Sequence, residues 1–200
     1  MEQLTRPDQA PAFANLLAQI RESYGRVVYS HKAHEKCADI YLQDQTRMKL
    51  AQIILAAIAT GGALTALLAD SRAGSVLTAV VSTCLVALNL YAKNIDPGAL
   101  SEQHKDTALK LWVVREKYLS LLADFQSRVL SRQDASARRD DLQGELAEIY
   151  QQAPRTTERG YRAARKALKV SEDMTFSDEE IDLLLPTALR NADNSAQRAP

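Results

Sequence analysis

The short run HKAHEKC brings together the side chains most able to bind a metal ion. His31, His34 and Cys37 follow one another at intervals of three residues, and imidazole and thiolate are usual zinc ligands. On a straight helix this spacing distributes the three side chains over two faces, because one turn takes 3.6 residues, and no fourth ligand is evident. We therefore expect ordinary helix residues that can respond to pH, and no metal site.

A second cluster that could bind a ligand is a strip of cationic side chains near residue 160. Its members recur at intervals of three and four, which places them on one helical face: Arg159, Arg162, Lys166 and Lys169. Such a strip can bind phosphates of a nucleotide messenger, anionic lipid headgroups or nucleic acid. A solvated face, or one paired with the acidic residues between 172 and 182, explains the same pattern, so both interpretations stay open.

Signatures of catalysis are missing from the sequence. It has no glycine-rich phosphate loop, no nucleophile elbow and no paired metal-binding motif. We expect neither an enzyme nor a bound cofactor. Acidic and basic residues balance at 25 each, which gives no overall attraction to nucleic acid, so no direct nucleic-acid partner is expected.

Two apolar runs dominate the first half of the chain. LAQIILAAIATGGALTALLA (50–69) and AGSVLTAVVSTCLVALNLYA (73–92) are each twenty residues without a charge. As helices, each would be roughly 30 Å long, the thickness of the hydrocarbon core of a bilayer. The runs predict a transmembrane hairpin over 50–92 with a very short turn. The alternative is a buried helical pair in a soluble protein, although soluble helices normally show a polar outer face.

The charges beside the runs predict their orientation. Arg47 and Lys49 precede the first span and Lys93 follows the second. Lys and Arg are enriched on the cytoplasmic side of membrane proteins. We therefore expect both termini in the cytoplasm and the turn around Asp70 on the other side of the membrane.

Each predicted span carries a distinctive stripe. Small residues that permit close helix packing in lipid lie along the first: Ala56, Ala59, Gly62, Ala63 and Ala66. Polar residues that should avoid lipid lie along the second: Ser75, Thr78, Ser82 and Asn89. The polar stripe either lines a water-filled path or forms hydrogen bonds with a neighbouring helix. Because two helices cannot enclose a pore, a channel would require a homo-oligomer.

The remaining segments predict an all-α fold with cytoplasmic helices packed as a bundle. We divide the chain into an N-terminal helix (1–49), the hairpin, further cytoplasmic helices (93–153), basic and acidic C-terminal helices (154–190) and a mobile tail (191–200). The N-terminal helix is expected to continue into the first span, with a hinge near Gly25, and to pack against the helix that follows the second span.

Local signals give expected helix boundaries. A turn at 96–98 and an N-cap at Ser101 should begin a helix that ends near Leu130. A polar connector over 131–141 should precede a helix that stops near Pro154. Another helix is predicted over 157–170, and Ser177 should cap a short last one.

The layout resembles the SLATT family of two-transmembrane effector domains. The resemblance lies in RMKLAQIILAAIATGGALTALL, SVLTAVVSTCLVALNLYAKNIDPG and HKDTALKLWVVREKYLSLL. The later YQQAPRTTERGYRAARKAL resembles the subgroup found beside nucleotidyltransferases and reverse transcriptases. These motifs are architectural, so no catalytic residue can be transferred.

The resemblance implies an effector of bacterial antiphage defence, located in the inner membrane, that forms a pore or disrupts the membrane when triggered. A nucleotidyltransferase, SLOG or reverse-transcriptase partner, or a nucleotide messenger, would supply the trigger. The main alternative is a non-conducting membrane anchor that recruits a cytoplasmic partner.

Overall fold

The computed structural model describes residues 9–69, 71–186 and 190. Within these residues the chain is all-helical, as the sequence predicts, with six helices: α1 Gln9–Leu68, α2 Arg72–Ile95, α3 Pro97–Gln126, α4 Arg132–Gln152, α5 Glu158–Lys169 and α6 Asp178–Leu184. The predicted tail (191–200) lies outside the described residues.

Helix α1 is a single element of 60 residues, which corresponds to a length of about 90 Å. The expected hinge near Gly25 is wrong, because the helix passes this residue without interruption. The expected continuation of the N-terminal helix into the first apolar run is confirmed, because α1 includes both segments. The polar N-terminal part and the apolar part of α1 are therefore joined by continuous backbone hydrogen bonding.

The N-terminal part of α1 packs along α3, as expected from the return of the chain after the hairpin. Apolar side chains on matching faces of the two helices form the core with α4: Leu16, Ile20, Val27, Val114, Tyr118, Leu121, Phe125, Ala135 and Leu142. The rings of Phe13 and Phe125 lie 4.3 Å apart between centroids at the far end of this core.

The boundary between α2 and α3 is one residue, Asp96. It has φ 42°, and its carboxylate accepts a hydrogen bond from the backbone N–H of Ala99. Pro97 follows at the first helical position, where its fixed φ suits a helix start. The predicted N-cap at Ser101 is therefore wrong. Ser101 is buried inside α3, and its hydroxyl donates to the carbonyl of Ala38 at 2.8 Å.

The polar segment 131–141 is helical rather than a connector. Ser131 caps α4 by accepting a hydrogen bond from the backbone N–H of Asp134. Only Ala135 and Leu142 of this helix are buried. A narrow apolar contact therefore holds α4 against the core, and most of the helix surface is polar. Further along, Thr157 caps α5, and the capping box predicted at Ser177 is present in α6.

Candidate functional site

The helices α1 and α2 pack against each other along a seam with an alternating spacing of three and four residues, which is the pattern of left-handed helix pairs. On α1 the buried or half-buried seam positions are Gln52, Leu55, Ala59, Gly62 and Ala66. On α2 they are Gly74, Thr78, Val81, Leu85, Leu88 and Ala92.

The closest approach in this seam depends on two glycines. A Cβ at Gly74 would lie 2.9 Å from the backbone nitrogen of Ala66 and 3.0 Å from the carbonyl oxygen of Gly62. A Cβ at Gly62 would lie 2.7 Å from the hydroxyl oxygen of Thr78. That hydroxyl donates to the Gly74 carbonyl at 2.9 Å. Small residues therefore let the two backbones approach closely near the turn.

The predicted small-residue stripe divides between two environments. Ala59, Gly62 and Ala66 lie in the seam, whereas Ala56 and Ala63 are exposed on the outside of the hairpin. This placement leaves small residues of α1 available on an outer face.

The predicted polar stripe divides in the same way. Thr78 lies in the seam, Ser82 is half-buried at its edge, and Ser75 and Asn89 are exposed. The last three are spaced by seven residues and therefore lie on one side of α2, next to the seam. Thr78 serves packing within one hairpin, whereas Ser75, Ser82 and Asn89 lie beside the seam and are wholly or partly exposed.

These outward polar residues differ in hydrogen bonding. The Ser75 hydroxyl donates to the backbone carbonyl of Ser71, four residues earlier, which reduces the cost of placing a hydroxyl in an apolar environment. Among the described residues, Ser82 and Asn89 have no hydrogen-bond partner. Ser82 occupies the middle of the second apolar run, where an unpaired polar group in lipid is costly.

The apolar runs are not covered by the protein. Only 6% of the most apolar stretch in α1 and 11% of that in the second candidate span are buried. Large side chains such as Ile53, Leu67 and Val76 are mostly exposed. A buried pair in a soluble bundle would show the opposite pattern, and a bilayer supplies the missing cover. Asp70 at the turn lies outside the described residues, and Ser71 caps α2.

The basic strip lies on the outer side of α5. The inner side of this helix presents Gly160 and Ala164 to α1, and a Cβ at Gly160 would collide with the sulfur of Cys37. The strip residues are exposed: Arg159 contacts Asp44 at 3.4 Å, Arg162 contacts Glu158 at 3.6 Å, and Lys166 and Lys169 form no ion pair with any described residue.

The closest histidine contact joins two helices, α1 and α3, and does not lie within HKAHEKC. The Nδ1 atoms of His34 and His104 are 2.9 Å apart, so one donates to the other, and both rings are buried. Burial, together with the neighbouring His104, lowers the pKa of His34 to about 4. Cys37 instead contacts Thr157, at 3.6 Å between sulfur and hydroxyl oxygen. In the described ranges no three His, Cys, Asp or Glu side chains converge in a way that could hold a metal ion.

Sequence reasoning missed the histidine pair because His104 is 70 residues from His34. Its detection requires the register between α1 and α3, which no local pattern provides.

Two helices of membrane-spanning length, an apolar hairpin without protein cover and a polar helical bundle beside it define a helical transmembrane protein. More specifically, the chain belongs to the SMODS and SLOG-associating 2TM effector domain family 4, whose family model matches residues 16–180. No curated protein and no solved structure matches the chain.

Proposed function

We propose that this chain is the membrane effector of a bacterial antiphage defence system and that it permeabilises the inner membrane as a homo-oligomeric pore. The membership in a two-transmembrane effector family supports the effector role. The charges beside the spans, Arg47, Lys49 and Lys93, support an orientation with both termini in the cytoplasm.

The observation that carries the pore proposal is the outward polar stripe on α2, Ser75, Ser82 and Asn89. It lies on the surface that a single hairpin would expose to lipid. The Ser82 hydroxyl and the Asn89 amide gain partners when a neighbouring copy or water covers this side. Several hairpins arranged with the stripe inward would surround a water-filled path.

Assembly also requires contacts between copies. Ala56 and Ala63 lie outside the seam of α1 and are exposed, and small residues favour close helix association in lipid. We infer that this outer face of α1 contacts the neighbouring hairpin. The cytoplasmic bundle would hold the closed arrangement until a trigger binds the open one more tightly, since a ligand shifts an equilibrium only through differential affinity.

Conductance of the purified full chain in planar bilayers tests the pore. With the native partner added, we expect discrete current steps, and we expect Ser82→Leu and Asn89→Leu to reduce them at least severalfold. Val80→Leu is the matched control, because Val80 is also exposed on α2 but lies away from the stripe. Steps that are unchanged in both stripe variants would exclude this lining. Silence from protein shown to be inserted, with its native partner added, would favour the non-conducting adaptor.

The trigger is the second element of the proposal. The family description refers to SMODS and SLOG association, which supports a nucleotidyltransferase or SLOG partner, or a nucleotide messenger. A reverse-transcriptase partner rests on the resemblance of YQQAPRTTERGYRAARKAL to the subgroup found beside such enzymes. The exposed strip of Arg159, Arg162, Lys166 and Lys169 is one contact surface for an anionic ligand or partner. Replacing Arg159, Arg162 and Lys166 with Glu should abolish triggered depolarisation of cells, and unchanged depolarisation would remove the strip from the trigger pathway.

The proposed activity involves no catalysis. A pore needs only a lining and a gate, and the features that support the function lie in the hairpin and on the bundle surface. Purified protein is expected to conduct without turnover of any added substrate.

A further inference from the structure

Concave regions on the cytoplasmic bundle differ in the charges that line them. A groove of about 1390 Å³ between α1 and α3 contains Lys32, but its ammonium group is held by Asp173 at 3.3 Å. A groove of about 540 Å³ between α3 and α4 contains Lys117, which contacts Glu145 at 2.8 Å. Acidic side chains already neutralise Lys32 and Lys117, although Lys169 in the first groove forms no ion pair with a described residue.

A third pocket, of about 460 Å³, has a different lining. It lies between α1, the end of α4 and the start of α5, and three tyrosines form its walls: Tyr29, Tyr150 and Tyr161. Arg155 lies at its edge. No acidic side chain of the described chain lines this tyrosine pocket, and Arg155 has no ion-pair partner there. Its one cation is therefore available to an anion.

The tyrosine pocket presents aromatic surface against which a flat ring can lie. Tyr29 and Tyr161 lie 5.8 Å apart between ring centroids and are inclined by 30°. The Tyr150 hydroxyl donates to the Ser30 hydroxyl oxygen at 2.9 Å, which orients the third ring. Tyr150 is 44% and Tyr161 51% exposed, so both rings have free surface that a ligand can cover.

We propose that the tyrosine pocket binds a nucleoside monophosphate, with its base against the tyrosines and its phosphate on Arg155. Aromatic rings stack on bases with little dependence on sequence, and guanidinium groups bind phosphate oxygens by paired hydrogen bonds. The pocket volume lies within the range of small-molecule sites.

Binding at this position would connect three helices. The ligand would contact α1, α4 and α5 together, and α1 continues without a break into the membrane seam. The binding itself is independent of the pore. Only its consequence for gating rests on the proposed function.

Isothermal titration of the full chain in lipid nanodiscs tests the proposal with AMP, GMP, CMP and UMP as probes. We expect at least one of them to bind, and the matching nucleoside and ribose 5-phosphate to bind at least tenfold more weakly. Tyr161→Leu and Arg155→Ala should each weaken nucleotide binding at least fivefold, whereas Tyr161→Phe should retain it. The matched controls Phe176→Ala and Arg132→Ala change exposed residues outside the pocket and should leave affinity unchanged.

Several outcomes would overturn the proposal. They are the absence of binding by all four nucleotides, ribose 5-phosphate that binds as tightly as the nucleotide, and Tyr161→Leu protein that binds as well as Tyr161→Phe protein. Bilayer conductance of the same preparations, measured with the native partner added, separates this inference from the pore: a conducting protein that binds no nucleotide contradicts only the pocket, and a protein that binds nucleotide but stays silent with the partner contradicts only the pore.

Discussion

The two halves of α1 use apolar side chains in opposite ways. In the N-terminal half, Ile20 and Val27 are 0% and 1% exposed, covered by α3 and α4. In the membrane half, Ile53 is 67% and Leu67 80% exposed, although the helix is continuous. Residue type alone does not separate the halves. The halves differ in what surrounds their apolar side chains, which is protein in one half and lipid in the other.

The strongest test of this difference compares two isoleucines on the same helix. Ile20→Ala should destabilise the bundle by about 2–5 kcal/mol, because it leaves a cavity in a packed core. Ile53→Ala should change it by about 0.5 kcal/mol or less, as for exposed positions away from special features. Denaturant unfolding in detergent, followed by fluorescence of the sole tryptophan, Trp112, measures both. Equal losses would show that protein also covers Ile53.

In the membrane half, α1 packs closely against α2 at Gly74, and substitutions at two glycines test this contact. Gly74→Ala should destabilise the hairpin by about 1–3 kcal/mol, since the added methyl group meets backbone atoms that must move. Gly61→Ala is the control, because a Cβ there meets nothing within 4 Å. Unfolding measured by steric trapping in bilayers should separate the variants. A neutral Gly74→Ala would contradict the close seam.

Acid should affect the N-terminal half of α1 selectively through His34. Its folded pKa, about 4, lies below the ordinary histidine value, so between pH 6.5 and 4 the unfolded chain binds more protons than the folded one. Stability is then full above pH 6.5 and falls on acidification by up to about 1.4 kcal/mol per pH unit for this group. The pH dependence of unfolding should flatten in His34→Gln, and an equally steep profile would assign it to other groups.

The smallest expected effect lies at the border between the halves. Asp96→Ala removes the cap of α3 and should cost about 1 kcal/mol. Asp96→Asn keeps a capping oxygen and a residue type that tolerates positive φ, so it should stay near wild type. Thermal unfolding of the three proteins compares them. An unaffected Asp96→Ala protein would show that Pro97 alone fixes the start of α3.

The sequence was sufficient to predict features that depend on composition and local spacing. The spans follow from charge-free runs of twenty residues, and the pairing of α1 with α3 follows from the hairpin that joins them. The capping box at Ser177 is a purely local signal. These features require no knowledge of which side chains meet across helices.

Boundaries and contacts between helices could not be predicted as well. Ser101 has the residue type of a helix cap and therefore predicts the start of α3 at the wrong place. The true start, Asp96 followed by Pro97, has residues that are equally typical of a turn. Segment 131–141 appeared to be a connector because a helix that buries only two side chains has almost no apolar period. The division of the polar stripe, with Thr78 in the seam, depends on the rotation of α2 about its axis.

Because α1 is unbroken, the number of residues it has between the seam and the bundle must match the number on the α2–α3 side. Gln45 on α1 lies opposite Gly98, next to the break at Asp96. One residue inserted into α1 at this level would turn the seam face by about 100° relative to the bundle face, and no loop is present there to absorb the change. An evolutionary insertion on one side therefore needs a compensating one in α2 or α3. Among homologous chains, the number of residues between seam and bundle should vary in a correlated way on the two sides.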